Sequence, residues 1–375
     1  MTKQISRTND SRERPIDRSL IELREISKRF LNRDVVKGLS FNIKRGELFV
    51  ILGPSGSGKT TTLRLLAGLE RPDAGEIFIN DQMIAGRNFF IQPEARNVGM
   101  VFQEYALFPN LTVKDNIAFG LHKLEKIERQ RIIERMLELV GLQDHINRYP
   151  HELSGGEQQR VAFARALAPS PVVILLDEPF SNVDADMRLR IRRDMQRILR
   201  KSNITAILVT HNQEDAFAIA DRIAVMNKGQ IEQIATPSEM YHSPATRFVA
   251  DFVGEADFIN GAVENNLIRT AVGDFPTAGF DSGTSVQVMI RPSDISFKAD
   301  KEGDGVVTDL EFKGSETLYF LRLSSGEFVH SIQNSESLIE IGTKVKIEVR
   351  PAQVLAFPIE VPDPHSQQSR PRVIE

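Results

Sequence analysis

The chain has 375 residues, 41% hydrophobic and 26% charged, the balance of a soluble globular protein with room for one large domain or two ordinary ones. Its 47 basic and 51 acidic residues leave a formal net charge of −4, so the chain as a whole lacks the positive field of a nucleic-acid binder. Without a single cysteine it has no disulfide, no thiol catalysis and no cysteine metal site, which suits a reducing compartment.

Residues 1–19 are polar and mildly basic, lack the apolar core of a signal peptide, and read as a disordered lead. No apolar run approaches the ~20 residues of a membrane helix, so service to a membrane would be given from its cytoplasmic face. From about residue 22 to 254, short apolar runs alternate with helical patterns, which predicts a parallel sheet covered by helices. Four runs read as buried strands: "LFVIL" (48–52), "VGMVF" (98–102), "VVILL" (172–176) and "AILVT" (206–210). Each is followed at once by a residue able to do chemistry: Gly53, Gln103, Asp177 and His211. Ligands of open α/β sheets bind beyond the carboxyl ends of the strands, so the four ends predict one shared site.

The first of these ends opens "GPSGSGKTT", a G-x-x-x-x-G-K-[ST] phosphate loop made by Gly53, Pro54, Ser55, Gly56, Ser57, Gly58, Lys59, Thr60 and Thr61. A buried strand precedes it, and a helix follows to about Ala67, with Gly68 as the stop. The glycines let backbone N–H groups close on phosphate oxygens. Lys59 supplies charge to the β- and γ-phosphates of a bound nucleotide, and the Thr60 hydroxyl is offered to Mg²⁺. Gln103, at the next strand end, is a neutral ligand for metal or water.

Between Gln103 and Pro171 the pattern turns helical; Ile133, Met136, Leu137 and Val140 form one apolar stripe, closed by Gly141. "ELSGGEQQRVAFARAL" (152–167) is a second anion-facing helix start: Ser154 is a good N-cap, Gly155 and Gly156 follow, and Val161, Ala164 and Leu167 recur at helical spacing. Asp177 and Glu178 then end an all-apolar strand, where buried carboxylates need a cation or hydrogen bonds. Asp177 is assigned to the metal through its waters, and Glu178 to orienting and deprotonating the attacking water; an ion pair capping the strand is the structural alternative. His211 can donate a hydrogen bond to the γ-phosphate. The other six histidines show no metal-ligand spacing and receive no role. In the arginine-rich helix that follows "SNVDAD", Met187, Ile191, Met195 and Ile198 are the buried stripe and the charges a solvated face.

After Gly254 short β-rich runs alternate with Gly, Asp and Ser turns. "TSVQVMIRPSDISF" and "TKVKIEVRPAQVLAF" echo each other around Arg291-Pro292 and Arg350-Pro351, which suggests a small all-β barrel of two similar pieces. The tail from 359 reads as disordered.

In order, "GPSGSGKT", "LSGGEQQR", "VVILLDEP", "SNVDA" and "VTH" resemble the ATP-binding subunits of ABC transporters over roughly 20–255. The resemblance implies an α/β P-loop NTPase domain at 20–255 with an inserted helical subdomain at about 104–170. An all-β OB-like regulatory domain of the TOBE type would occupy 256–358. It also implies a homodimer in which two ATP molecules are sandwiched head to tail. Ser154, Gly155 and Gly156, with Glu157 in the same turn, would face the γ-phosphate held by the other subunit, which answers why one chain carries two phosphate-facing helix ends. By the same matching Phe30 stacks on adenine, Gln103 lies in the Q-loop, and Asp184 lies in the D-loop at the dimer interface, with an N-cap as its alternative. "EYALFPNLTV" (104–113) would expose aromatics beside the groove for a permease. Integral permease subunits, and through them a substrate-binding protein, are the implied partners, nucleic acid is not, and the place is the cytoplasmic face of the cell membrane as a peripheral protein. "DEPFSNVDA", with Phe180, leans toward the ferric-iron importer group over polyamine, sugar, sulfate or phosphonate. A soluble ABC ATPase acting on DNA fits less well, because Lys59 and Ser154 are only 95 residues apart with no long coiled coil between them.

Overall fold

The structure is a computed structural model describing residues 19–181, 185–277, 279–336, 338–350 and 354–359. Most of the expected amino-terminal lead, the tail from 360 and Asp184 lie outside the described residues. The fold divides into two compact units, 1–240 and 241–375, so the break falls earlier than the change in composition after Gly254.

In the first unit a six-stranded sheet carries the four expected strands. Its order is Gln230–Ala235, Arg222–Asn227, Leu48–Leu52, Thr205–Thr210, Val173–Asp177 and Val98–Val101. Every pairing is parallel except that of the first two, so the four chemistry-bearing ends share one edge. Leu48–Leu52, Val173–Asp177 and Thr205–Thr210 are buried at every position, the signature of strands covered on both faces.

A second, antiparallel sheet was not foreseen. It runs Arg33–Lys44, Ser19–Phe30, Ala74–Ile79, Gln82–Gly86 and Phe89–Phe90. Several register shifts interrupt the pairing of Ser19–Phe30 with its neighbours. Each bulge breaks the period-two alternation by which a half-buried strand is recognised. The apolar faces of this sheet and of the parallel sheet merge into one core, with Leu23, Ile43 and Ile77 beside Phe49, Leu63 and Ile207.

The inserted segment is helical, as expected, with Val113–Ala118, Lys126–Val140 and Gly155–Leu167 as its main helices. Ile133, Met136, Leu137 and Val140 are all buried, and Gly141 ends its helix at φ 66°. In Ala185–Ser202, Ile191, Met195 and Ile198 are buried, but Met187 is only half-buried. The arginine face is not simply solvated: Arg192 pairs with the buried Asp215 at 3.3 Å and Arg200 reaches Asp221, while Asp194 of the same helix receives Arg160 from Gly155–Leu167.

The second unit holds two five-stranded sheets, ordered Gly273–Pro276, Leu267–Thr270, Asp257–Glu264, Ser285–Ile290, Leu355–Pro358, and Ile295–Ala299, Lys344–Val349, Gly305–Phe312, Glu316–Leu323, Phe328–Asn334. The repeated Arg-Pro marks where the chain leaves one sheet for the other. Ser285–Ile290 pairs with the strand beyond the second Arg-Pro, and Lys344–Val349 with the strand beyond the first. The two arginines differ in use. Arg350 is exposed, whereas the buried Arg291 donates to the carbonyl oxygens of Ala250, Gly254, Glu255 and Tyr241.

Candidate active site

The phosphate loop leaves the Leu48–Leu52 strand and ends at the helix Lys59–Ala67. Only glycine fits at two of its turns. A Cβ on Gly53 would stand 2.2 Å from Met226 O, and Gly58 has φ +107° with Val35 O 2.6 Å from where its Cβ would be. Gly58 is the N-cap and offers no side-chain acceptor, so the first N–H groups of the helix are left for a ligand. Ser57 Oγ is buried without a hydrogen-bond partner beside them, and anionic phosphate oxygens suit both. Next to the loop lies a cleft of about 480 Å³, lined by Pro54, Ser55, Gly56 and Ser57 together with Asn32 and Asp34.

Lys59 is 4% exposed, and its ammonium donates to Gly53 O at 2.8 Å and Pro54 O at 3.0 Å. Burial lowers its pKa, and the carboxylates of Glu178 and Asp177 act against that. Thr60 Oγ1 donates to Asp177 Oδ1 at 3.1 Å, joining the loop helix to the end of the Val173–Asp177 strand. Burial raises the Asp177 pKa, opposed first by the Thr60 hydrogen bond. A buried carboxylate beside a hydroxyl, both hard oxygen donors, is chemistry that fits a magnesium ion keeping its remaining ligands as water and phosphate. Among the described residues no cluster of three or more His, Asp or Glu could hold a metal alone.

Glu178 has φ 44°, in the left-handed region that a side chain seldom adopts. It is held there from both sides: its N–H donates to Val209 O, and its carbonyl oxygen accepts from Ser181 Oγ. Its carboxylate meets His211 Nδ1 at 3.1 Å. Strain of this kind is maintained where a side chain must be aimed. The structure therefore brings Lys59, Thr60, Asp177, Glu178 and His211 together at one sheet edge. Gln103 is exposed, two residues beyond the Val98–Val101 strand at that edge.

The second anion-facing helix start forms as expected. Ser154 caps Gly155–Leu167, and Glu157 Oε2 accepts from both Ser154 N at 2.8 Å and Ser154 Oγ at 2.7 Å. Those bonds hold the Glu157 carboxyl below the usual carboxylate range. Ser154 and Gly155 are exposed; Gly156 is buried, with Ile191 against it. Phe30 is 39% exposed but is not among the residues lining the cleft, and its ring lies 5.0 Å from Lys28 Nζ.

The expectation that 104–113 exposes its aromatics needs correction. Tyr105 is buried and Phe108 half-buried against Phe119, with ring centroids 4.2 Å apart. The exposed aromatics are Phe102 and Phe119, on a cleft of about 600 Å³ that Arg165, Pro169 and Glu94 also line.

Three residues escaped the sequence reading. Arg96 is 3% exposed, and its Nη1 donates to Leu65 O and Leu66 O, bracing the far end of the helix that starts with Lys59. Arg165 donates to Ala106 O at 2.7 Å and Tyr105 O at 3.0 Å, two successive left-handed residues after Gln103. His145 meets Glu157 at 3.2 Å. No motif marks these residues.

The ABC transporter family matches residues 36–181, and the TOBE domain family residues 288–357. The Fe(3+) ions import ATP-binding protein of Fusobacterium nucleatum is 38% identical over 90% of this chain and 93% of that protein. This chain belongs to the importer-type ABC ATP-binding subunits with a TOBE domain. The spermidine/putrescine import ATP-binding protein of Trichodesmium erythraeum is 41% identical (82% of this chain, 86% of that one), and the trehalose/maltose import ATP-binding protein of Thermococcus litoralis 40% (87% and 94%). Among solved structures, an ATP-binding cassette captured as a dimer in a post-hydrolysis state with ADP and Pi superposes at TM-score 0.51, with 30% identity, over 58% of this chain and 98% of that one. A subunit of a Clostridium perfringens ABC transporter complex superposes at 0.55, with 26% identity, over 60% and 92%. The protein is an ABC-type ATPase, the ATPase subunit of an importer. Among the described residues no helix is long and apolar enough to cross a membrane.

Proposed function

We propose that the chain hydrolyses ATP in a head-to-tail homodimer and so drives a permease that imports a cargo delivered by a substrate-binding protein. One observation carries the reading: Lys59, Asp177, Glu178 and His211 converge at the carboxyl edge of one parallel sheet. The triphosphate lies against the loop from Gly53 to Thr61, with Lys59 at the β- and γ-phosphates. Phe30, at the end of its strand two residues before the cleft wall begins at Asn32, is the platform for adenine. Thr60, Asp177 and Gln103 hold magnesium, which when bound offsets negative charge on the phosphates.

Glu178 takes the proton of the attacking water, and His211 both orients that carboxylate and donates toward the γ-phosphate. Ser154, Gly155, Gly156 and Glu157 close on the nucleotide of the other copy, with Asp184 at the interface between the copies. The cleft of Phe102, Phe119 and Pro169 receives the permease, which seats the subunit peripherally on the cytoplasmic face of the membrane.

Ferric iron is the proposed cargo, ahead of polyamines, sugars, sulfate and phosphonate. Its support is the run "DEPFSNVDA" together with the ferric-iron relatives in Fusobacterium nucleatum, at 38% identity, and Rhodococcus jostii, at 42%. The test reconstitutes the subunit with its co-purifying permease and measures ATPase activity with candidate binding proteins. Stimulation by a ferric-loaded binding protein supports the assignment. Stimulation only by a polyamine-, sugar- or anion-loaded one overturns the cargo, and activity indifferent to all of them overturns the transport role.

A further inference from the structure

Gln159 lies in the second turn of the helix Gly155–Leu167, whose amino end is capped by Ser154. It is 1% exposed, and its Nε2 donates to Pro179 O at 3.0 Å. Gln158 beside it uses its amide locally, on Pro150 O at 2.9 Å and Leu153 O at 3.2 Å, where the chain enters the same helix. Gln159 instead reaches across to the residue that directly follows Glu178.

Burying an amide is costly unless both of its ends are used. Gln159 Oε1 is buried with no hydrogen-bond partner, so what the amide supplies here is its donor. Turning the amide over would set oxygen against oxygen, so Nε2 is the end that must meet the carbonyl. Proline has no N–H, and the backbone of Pro179 can be tied only through that carbonyl. Three successive backbone groups around Glu178 are then held from three places. Glu178 N–H donates to Val209 O on the neighbouring strand, Glu178 O accepts from Ser181 Oγ, and Pro179 O accepts from the helix of Ser154. At φ 44°, Glu178 keeps its conformation only while its surroundings impose it.

We propose that Gln159 is a positioning residue for Glu178. By holding Pro179 O it fixes the turn on the carboxyl side of Glu178 and so keeps the carboxylate aimed at the attacking water. Without that bond the turn relaxes, the base is misplaced, and nucleotide binding is left as it was. This rests on the reading of Glu178 as the base.

The experiment measures kcat and KM for ATP with magnesium, and the single-turnover rate, for the full chain with and without Gln159→Met. That substitution keeps the length of the side chain and loses the donor. Each measurement is repeated in a Glu178→Gln background, with urea unfolding to confirm the fold and Gln159→Leu as the second variant. With Glu178 in place, kcat is expected to fall about 10–100-fold while KM stays within about twofold, the signature of a misplaced catalytic group. In the Glu178→Gln background the same substitution should change the residual single-turnover rate by less than about twofold, because no base is left to misplace. A merely structural role would lower the rate by the same factor in both backgrounds, and that result overturns the proposal. So does an unchanged kcat with Glu178 in place. Loss of the ATP-bound dimer of Glu178→Gln on adding Gln159→Met, read by size-exclusion chromatography, would place the effect at Ser154 and overturn it as well. If Glu178→Gln alone turns over within tenfold of the parent, the base reading itself fails and takes this inference with it.

Discussion

His211 Nδ1 lies 3.1 Å from Glu178 Oε2, so the side chains beyond two neighbouring strands act as one hydrogen-bonded unit. The contact holds the carboxylate in place while the left-handed backbone at φ 44° points it away from the strand. Glu178→Gln keeps the size and the hydrogen bond to His211 but loses the base. The expected outcome is ATP binding near the parent level, turnover lower by about 10²–10⁴-fold, and a dimer that persists in ATP. Single-turnover kinetics and size-exclusion chromatography check it; turnover within tenfold of the parent would remove Glu178 from the role of base.

The magnesium assignment makes a sign prediction. Burial raises the Asp177 pKa, so protons and metal compete there at a higher pH than for an ordinary carboxylate. Chelating divalent ions should abolish hydrolysis, and added magnesium should restore it. As magnesium is raised through and above its dissociation constant, the acid limb of kcat/KM should move to lower pH, by up to about one unit per tenfold. Asp177→Asn should erase that movement. An acid limb indifferent to magnesium would show that Asp177 does not hold it.

The helix that presents Lys59 is braced at its other end by Arg96, whose donors satisfy Leu65 O, Leu66 O and Ile91 O. Burial lowers the Arg96 pKa to about 10, yet the guanidinium stays charged at neutral pH, and its stacking on Phe90 at 4.7 Å adds to the hold. Arg96→Met fits the space but leaves those carbonyls without donors. A loss of about 2–4 kcal/mol in urea unfolding is expected, with Arg96→Lys intermediate because one ammonium cannot span the same acceptors. A change below about 0.5 kcal/mol would mean that water replaces the side chain.

The site was readable where chemistry sits next to a local pattern. Gly53, Asp177 and His211 stand at or directly beyond runs of apolar residues, and the parallel pairing of those runs forces them onto one edge. Ser154 was readable because an N-cap and its glycines are contiguous. Arg96, Arg165 and His145 were not, because their partners Leu65, Ala106 and Glu157 are brought near only by tertiary folding, and no short-range period encodes such a contact. The antiparallel sheet was hidden by the bulges in Ser19–Phe30.

Arg165 is the sharpest of those missed contacts. From the helix that starts at Ser154 it holds the carbonyls of Tyr105 and Ala106, and its guanidinium lies 5.3 Å from the Phe108 ring centre. The left-handed pair at Tyr105 and Ala106, φ 58° and 46°, relies on such support. Arg165→Met should therefore let this loop open. Amide exchange over 104–108 should quicken at least tenfold, the loss of about 1.4 kcal/mol of local protection, while strands such as Val173–Asp177 stay unchanged. Equal acceleration throughout the first unit would mean that Arg165 supports the fold at large.

In the second unit, His330 joins the two β sheets through Asp257. Its N–H donates to Asp257 Oδ2 and its Nδ1 meets Oδ1, both at 2.6 Å. Asp257 is 8% exposed; burial raises its pKa, and the bonds from His330 pull the other way. His330→Leu removes the ring while keeping the backbone donor. At neutral pH the variant must bury a carboxylate that has lost half its partners, at a cost of about 1–3 kcal/mol. With His330 gone the folded-state pKa of Asp257 lies further above the unfolded one, and an acid shifted that way destabilises the fold as pH rises through the interval. The penalty relative to the parent should therefore shrink as pH falls toward 4, where the carboxyl is protonated. Urea midpoints of parent and variant across pH 4–8 check the sign. A penalty constant over that range would place the contribution of His330 in its packing against Phe320, 4.7 Å away, rather than in the carboxylate.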